Sequence, residues 1–216
     1  MRYKAVVFDL DGTLLNTLED LTDSTNYALK ACGYPQRDIT EIRYFVGNGI
    51  HKLIERAVPD GISSDELEKC FEIFCEHYKG NMENKTAPYD GINDMLKSLY
   101  ENGVKLAVVT NKAEFAAKEL VKRLFGEFVS VVIGGNDKRP LKPAPDGVLD
   151  ALKLLGAEEH EAVFVGDSEV DIQTAKNAEV ECIGVLWGFR KKEEIEKLGV
   201  KATVETAQEL EKILLS

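Results

Sequence analysis

No apolar run in this chain approaches the roughly 20 residues needed to cross a bilayer, which excludes a membrane-spanning helix. No basic-then-apolar leader precedes the first strand-like run at Ala5, so a cytoplasmic protein is expected. Cysteine is scarce: Cys32, Cys70, Cys75 and Cys182 form no Cys-x-x-Cys pair. A chain of 216 residues has no need of disulfide staples, and the four read as reduced core thiols. Histidine is scarcer still. His51, His77 and His160 lack metal-ligand spacing, which leaves them surface or packing roles. Positive charge is in deficit, with 27 Lys and Arg against 38 Asp and Glu for a formal net charge of -11. That balance disfavours nucleic acid and anionic membrane as partners. An anionic small substrate would need local cations to overcome a repulsive field.

What is present is an ordinary globular composition, 44% hydrophobic and 30% charged, sufficient for one domain with a smaller insert. Buried-strand patterns recur at residues 5–8, 106–109, 129–133 and 162–165, with a weaker one at 182–186. Helical spacing marks residues 91–100, 113–125, 145–155 and 170–178 between or after them. Strands alternating with helices predict an α/β fold: an open, doubly wound, mostly parallel, Rossmann-like sheet. Ligands in such sheets bind beyond the carboxyl ends of the strands. Residues 16–86 break the alternation. They carry four helical patterns, at 18–31, 39–44, 49–58 and 65–82, and are too long for one crossover. The expected organisation is therefore a core of residues 1–15 and 87–216 with an all-helical insert of residues 16–86.

The polar residues that matter follow the strands. Asp9 and Asp11 end the first one, two positions apart, so their carboxylates converge on one side of the chain. Such convergence is costly without a cation and implies a divalent metal. Thr110, Asn111 and Lys112 follow the second strand. Lys142 lies in a proline-rich stretch, and Asp167 ends another strand with Asp171 four residues on. Each has a blander reading. Thr13 or Ser168 could cap helices, Gly12 could be a turn glycine, Lys142 a surface lysine, and Asp171 a helix-start charge. Their shared placement at one sheet edge, in four separate segments, favours a site.

Four motifs, in order, carry a resemblance to the haloacid dehalogenase superfamily: Asp9-Leu10-Asp11-Gly12-Thr13, Thr110, Lys142, and Gly166-Asp167 with Asp171. The phosphatase branch fits, because dehalogenating relatives lack the second aspartate. The resemblance is narrower to phosphoglycolate phosphatases, through Phe45-Val46-Gly47-Asn48-Gly49, Thr110-Asn111-Lys112 and the stretch at 131–137. It implies a helical cap for residues 16–86 and a Mg²⁺-dependent phosphomonoester hydrolase. Asp9 would be the nucleophile, forming an aspartyl phosphate. Asp11 would be the general acid and base, and Lys142 would act beside them. The implied metal ligands are Asp9, the Asp11 carbonyl, Asp167 and, through water or by orienting Lys142, Asp171. Backbone N–H groups around Gly12 and Asn111, with Thr110 and Lys142, would hold phosphoryl oxygens. Asn16 and Asp90 depart from the common pattern, both at the cap linkers.

A substrate such as 2-phosphoglycolate carries a second anion. Asn48, Arg43 and Lys112 are the candidates to bind it, against the alternative of a tight inter-helix turn with solvated cations. Pyrophosphate and sugar phosphates are rival substrates, and a phosphomutase or a non-catalytic binding module are rival functions. The expected partner is a small phosphorylated substrate, with the protein a monomer or homodimer. Trp187 is expected to pack near the site mouth, and the charged stretch 190–197 to form a solvated helix face.

Overall fold

The computed structural model describes residues 2–216. Its contacts divide the chain into two compact units, one running to Leu15 and resuming at Pro88, the other spanning Asn16–Ala87. In chain order the elements are β1 (Ala5–Phe8), β2 (Leu15–Asn16), α1 (Leu18–Ala31), α2 (Ile39–Phe45), α3 (Ile50–Ala57) and α4 (Ser64–Asn81). β3 (Ala87–Pro88), α5 (Ile92–Glu101), β4 (Lys105–Ala113), α6 (Glu114–Phe125), β5 (Val131–Gly135) and α7 (Asp146–Leu155) follow. A 3₁₀ turn (Glu159–Glu161) leads into β6 (Ala162–Gly166), α8 (Glu169–Asn177), β7 (Glu181–Val185), α9 (Lys192–Glu196), β8 (Ala202–Val204) and α10 (Ala207–Leu214).

The larger unit is built on a six-stranded sheet in the order β5-β4-β1-β6-β7-β8, with every pair parallel. β1 lies inside it and is buried on both faces, which is why it reads as an unbroken apolar run. Its side chains alternate between two layers. Val6 and Phe8 pack with Leu96 and Leu99 of α5, Leu120 of α6 and Leu210 of α10. Ala5 and Val7 pack with Val148 and Leu152 of α7 and Ile172 of α8. Burying a side chain such as Phe8 contributes about 1.5–3 kcal/mol. The doubly wound sheet expected from the alternation is the one observed.

Three local readings are corrected. The third strand begins at Val131 rather than at 129, because Phe128 and Val129 both donate to the Phe125 carbonyl and finish the turn after α6. The second strand runs on to Ala113 through a register shift after Val109, so Thr110, Asn111 and Lys112 lie on its tail. The stretch 190–197 is not a uniformly solvated face. Arg190 is buried against Glu169, and Ile195 is fully buried.

The second unit is helical. α2 and α4 begin at capping boxes, Asp38 with Glu41 and Ser63 with Glu66. α4 turns Cys70, Phe74 and Tyr78 inward, one buried residue every four. Asp20, buried in the first turn of α1, accepts from the N–H groups of Lys85 and Thr86 and from Thr86 Oγ1. All four cysteines are free. Cys70 and Cys182 are buried as expected of core thiols, whereas Cys32 and Cys75 are only half-buried. Among the described residues, no helix is long and apolar enough to cross a membrane.

Candidate active site

The site is assembled from strand ends within the sheet unit. Asp9 follows β1 directly, and its N–H donates to the Val165 carbonyl at 2.9 Å, extending the pairing with β6 by one step. Asp167 follows β6 on the neighbouring strand, so the parallel register brings the two carboxylates together. Asp171 lies in the first turn of α8. Its Oδ2 accepts from the N–H of Ser168 at 3.0 Å and from Ser168 Oγ at 2.8 Å. Oxygens of Asp9, Asp167 and Asp171 lie within 4.8 Å of one another, and all three residues are buried.

Buried carboxylates this close repel, and burial penalises their charge. Burial, then Asp171, pushes Asp9 up to about 7. Burial, then Asp171 and Asp9, pushes Asp167 up to about 8, against the pull of the Phe189 N–H and Arg190. Lys142 supplies one ammonium, 2.6 Å from Asp171 Oδ1 and 2.8 Å from Asp9 Oδ1. Its own burial opposes its charge, but Asp171 and Asp9 outweigh that and hold it above the usual lysine range. Asp9 Oδ1 is buried and has no partner besides that ammonium. One shared cation does not neutralise three acids.

The expected residues divide by what surrounds them. Asp11 is not part of the carboxylate trio. Its side chain instead accepts from the buried Lys112 ammonium, at 3.0 Å and 3.3 Å. Thr110 is buried, and its Oγ1 accepts from the Lys112 N–H at 3.2 Å. Asn111 holds the Lys142 main chain at both ends of its amide: Nδ2 donates to the Lys142 carbonyl at 2.9 Å, and Oδ1 accepts from the Lys142 N–H at 2.8 Å. The Lys142–Pro143 peptide is cis.

Of the N–H groups expected around Gly12, the glycine's own donates to the Leu15 carbonyl at 2.9 Å and closes a turn. What requires glycine is space and conformation. At φ +88° a Cβ would stand 2.4 Å from Asp167 Oδ2. Thr13 caps no helix; its hydroxyl donates to Asp167 Oδ1 at 3.2 Å. Arg43 and Asn48 lie in the helical unit. Arg43 is half-buried in the last turn of α2, and Asn48 Oδ1 accepts from Arg56 Nη2 at 2.8 Å. The histidines have local partners: His51 with Glu68, His77 with Ser24 and Tyr27, and His160 near Glu158.

The loop after β7, for which the sequence predicts only packing by Trp187, also reaches the site. Trp187 Nε1 donates to the Thr13 carbonyl at 2.9 Å, and the Phe189 N–H donates to Asp167 Oδ2 at 2.7 Å. A Cβ on Gly188 would lie 2.3 Å from Asp167 Cβ and 2.4 Å from the Gly12 carbonyl oxygen. The available signal was a glycine between two aromatics just past a strand end.

A trio of buried acids, a shared lysine and a second aspartate at one sheet edge define a class. The chain belongs to the haloacid dehalogenase-like hydrolases, a family that matches residues 6–185. Within it, the chain is similar to phosphoglycolate phosphatase 1 of Pseudomonas aeruginosa, 38% identical over 192 residues that make up 86% of this chain and 70% of that one. A solved structure from Lactobacillus delbrueckii subsp. bulgaricus, provisionally described as a phosphoglycolate phosphatase, matches with a TM-score of 0.94. Identity is 35%, and 99% of each chain is covered. A further structure with that provisional description, from Haemophilus somnus, has a TM-score of 0.92 at 29% identity, covering 99% of this chain and 98% of the other.

Proposed function

We propose that this protein is a Mg²⁺-dependent phosphomonoester hydrolase that works through an aspartyl phosphate on Asp9, with 2-phosphoglycolate as its substrate. The observation that carries the chemistry is the buried Asp9–Asp167–Asp171 group sharing the Lys142 ammonium. The substrate rests on similarity to phosphoglycolate phosphatases.

The residues fit a hard divalent cation. The donors are all carboxylate oxygens, two of the acids are raised so far that they would take protons in place of a cation, and Asp9 Oδ1 is buried with no partner besides the Lys142 ammonium. Asp9, Asp167 and the Asp11 carbonyl would hold Mg²⁺, which when bound neutralises the phosphoryl charge that otherwise repels Asp9. Asp171 Oδ1 accepts from the Lys142 ammonium at 2.6 Å, so Asp171 would orient the lysine.

The Asp9 carboxylate attacks phosphorus as the bond to the leaving oxygen breaks, and Asp11 gives that oxygen a proton. A water then attacks the phosphorus and passes its proton to Asp11. Phosphate departs and the Asp9 carboxylate is restored. Lys142 and the Thr110 hydroxyl hold phosphoryl oxygens, with Asn111 fixing the lysine's backbone.

A panel of 2-phosphoglycolate, pyrophosphate, sugar phosphates and an aryl phosphate, assayed with Mg²⁺ and with chelator, tests this reading. We expect metal-dependent release of phosphate, the highest kcat/KM on 2-phosphoglycolate, and only background rates from Asp9→Asn. Steady hydrolysis by Asp9→Asn, once deamidation is excluded, would remove the nucleophile. A higher kcat/KM on another ester would replace the substrate.

A further inference from the structure

We propose that Lys112 is the positioning residue that holds Asp11 in place for hydrolysis of the aspartyl phosphate, a role that rests on the hydrolase reading above. The Lys112 side chain is 1% exposed and that of Asp11 14%. The ammonium contacts both carboxylate oxygens, at 3.0 Å and 3.3 Å. A donor near both oxygens restrains the rotation of the carboxyl plane as well as its direction, which a bond to one oxygen would not. Lys112 is itself anchored. It sits on the tail of β4 past the register shift, with its N–H on Thr110 Oγ1. A buried ammonium is unfavourable unless a fixed partner stands beside it, so the pair is built into the fold.

Asp11 has need of such a restraint. It stands outside the carboxylate trio, and at 14% exposure its carboxylate is partly open to water. Proton transfer requires hydrogen-bond reach, and a misplacement of about 1 Å can cost on the order of 10²-fold. In the second half-reaction the water oxygen bonds to phosphorus, its proton goes to an Asp11 oxygen, and the phosphorus–oxygen bond to Asp9 breaks. The first half-reaction on p-nitrophenyl phosphate is different, because it expels a stabilised phenolate that needs no proton. Loss of Lys112 therefore slows release of the phosphoenzyme selectively on that ester. The competing role, direct contact with the substrate's carboxylate, would appear only with 2-phosphoglycolate and only in KM.

Rapid-mixing assays with p-nitrophenyl phosphate and steady-state assays with 2-phosphoglycolate, both with Mg²⁺, separate these roles for wild type, Lys112→Met and Lys112→Arg. We expect Lys112→Met to release about one nitrophenolate per protein in a burst, then to turn over about 10–100-fold more slowly than wild type. On 2-phosphoglycolate its kcat should also fall. Lys112→Arg keeps a cation with paired donors and should recover part of the rate. Unchanged kcat without a burst overturns the proposal, as does a defect confined to KM for 2-phosphoglycolate. A wild type that forms neither nitrophenolate nor phosphoenzyme would instead sink the hydrolase reading. Thermal melts check folding, and Lys112→Gln takes the same measurements if the Met variant does not fold.

Discussion

In the proposed mechanism, Asp11 is the residue whose chemistry is most separable from binding. Asp11→Asn keeps the side chain's size and would remove its proposed proton transfer, while the Asp9 trio and Lys142 are untouched. General acid–base groups typically contribute about 10²–10⁴-fold, and kcat should fall within that range. Acid quenching should still trap phosphoprotein, because an aryl leaving group departs without Asp11. A variant that turns over within about threefold of wild type would take Asp11 out of proton transfer. The strand-end positions of Asp9, Asp11 and Asp167 were legible because a period of two and an apolar run fix where a buried strand stops. The Asn111 amide on Lys142 and the space demanded at Gly188 were not. Both depend on segments distant in sequence closing on each other.

At the scale of elements, the long apolar strands and amphipathic helices were readable to within a few residues. The elements that escaped were those with little apolar signal: the three-residue β8 and the linker strands β2 and β3. α10, which packs Leu210 and Leu214 into the core, also escaped, although α2 and α3 are as short and were read. Within the helical unit, Asp20 is the buried part of the tie between α1 and the returning chain, beside the exposed pairs of Lys85 with Asp23 and Glu19. Asp20 accepts from two backbone N–H groups and a hydroxyl, with distances of 2.8 Å to Thr86 N and Oγ1. Asp20→Ala would strand the buried donors of Thr86. Hydrogen bonds to charged groups contribute about 1.5–3 kcal/mol, so we expect a loss of about 2–4 kcal/mol in urea unfolding. Asp20→Asn keeps one acceptor oxygen and should lose less. A change below about 0.5 kcal/mol for the alanine variant would show that the tie contributes little.

For the molecule as a whole, the carboxylate trio links stability to pH and, on the proposed reading, to metal. Without metal, the folded protein raises Asp9 from 3.8 to about 7 and Asp167 from 3.8 to about 8. Between about pH 4 and pH 8 the folded state thus binds more protons than the unfolded one. Stability contributed by these groups is full below the unfolded pKa and is lost as pH rises through the folded values. On the proposed reading Mg²⁺ would take the place of those protons, and its stabilising effect should grow in the same window, from pH 6 to pH 8. At a concentration of 100 times Kd, a ligand adds about 2.7 kcal/mol. For a chain of this size that is a rise in Tm of about 5–10 °C at pH 8, and less than half of that at pH 6. Net charge supplies a competing cause. With a formal charge of -11, any added cation relieves some self-repulsion, so the comparison must be made against potassium chloride at equal ionic strength. A specific site predicts that chelator reverses the rise and that Asp167→Asn diminishes it. An equal gain at both pH values, or one matched by potassium chloride, would attribute the effect to the acidic surface and leave the trio without its cation.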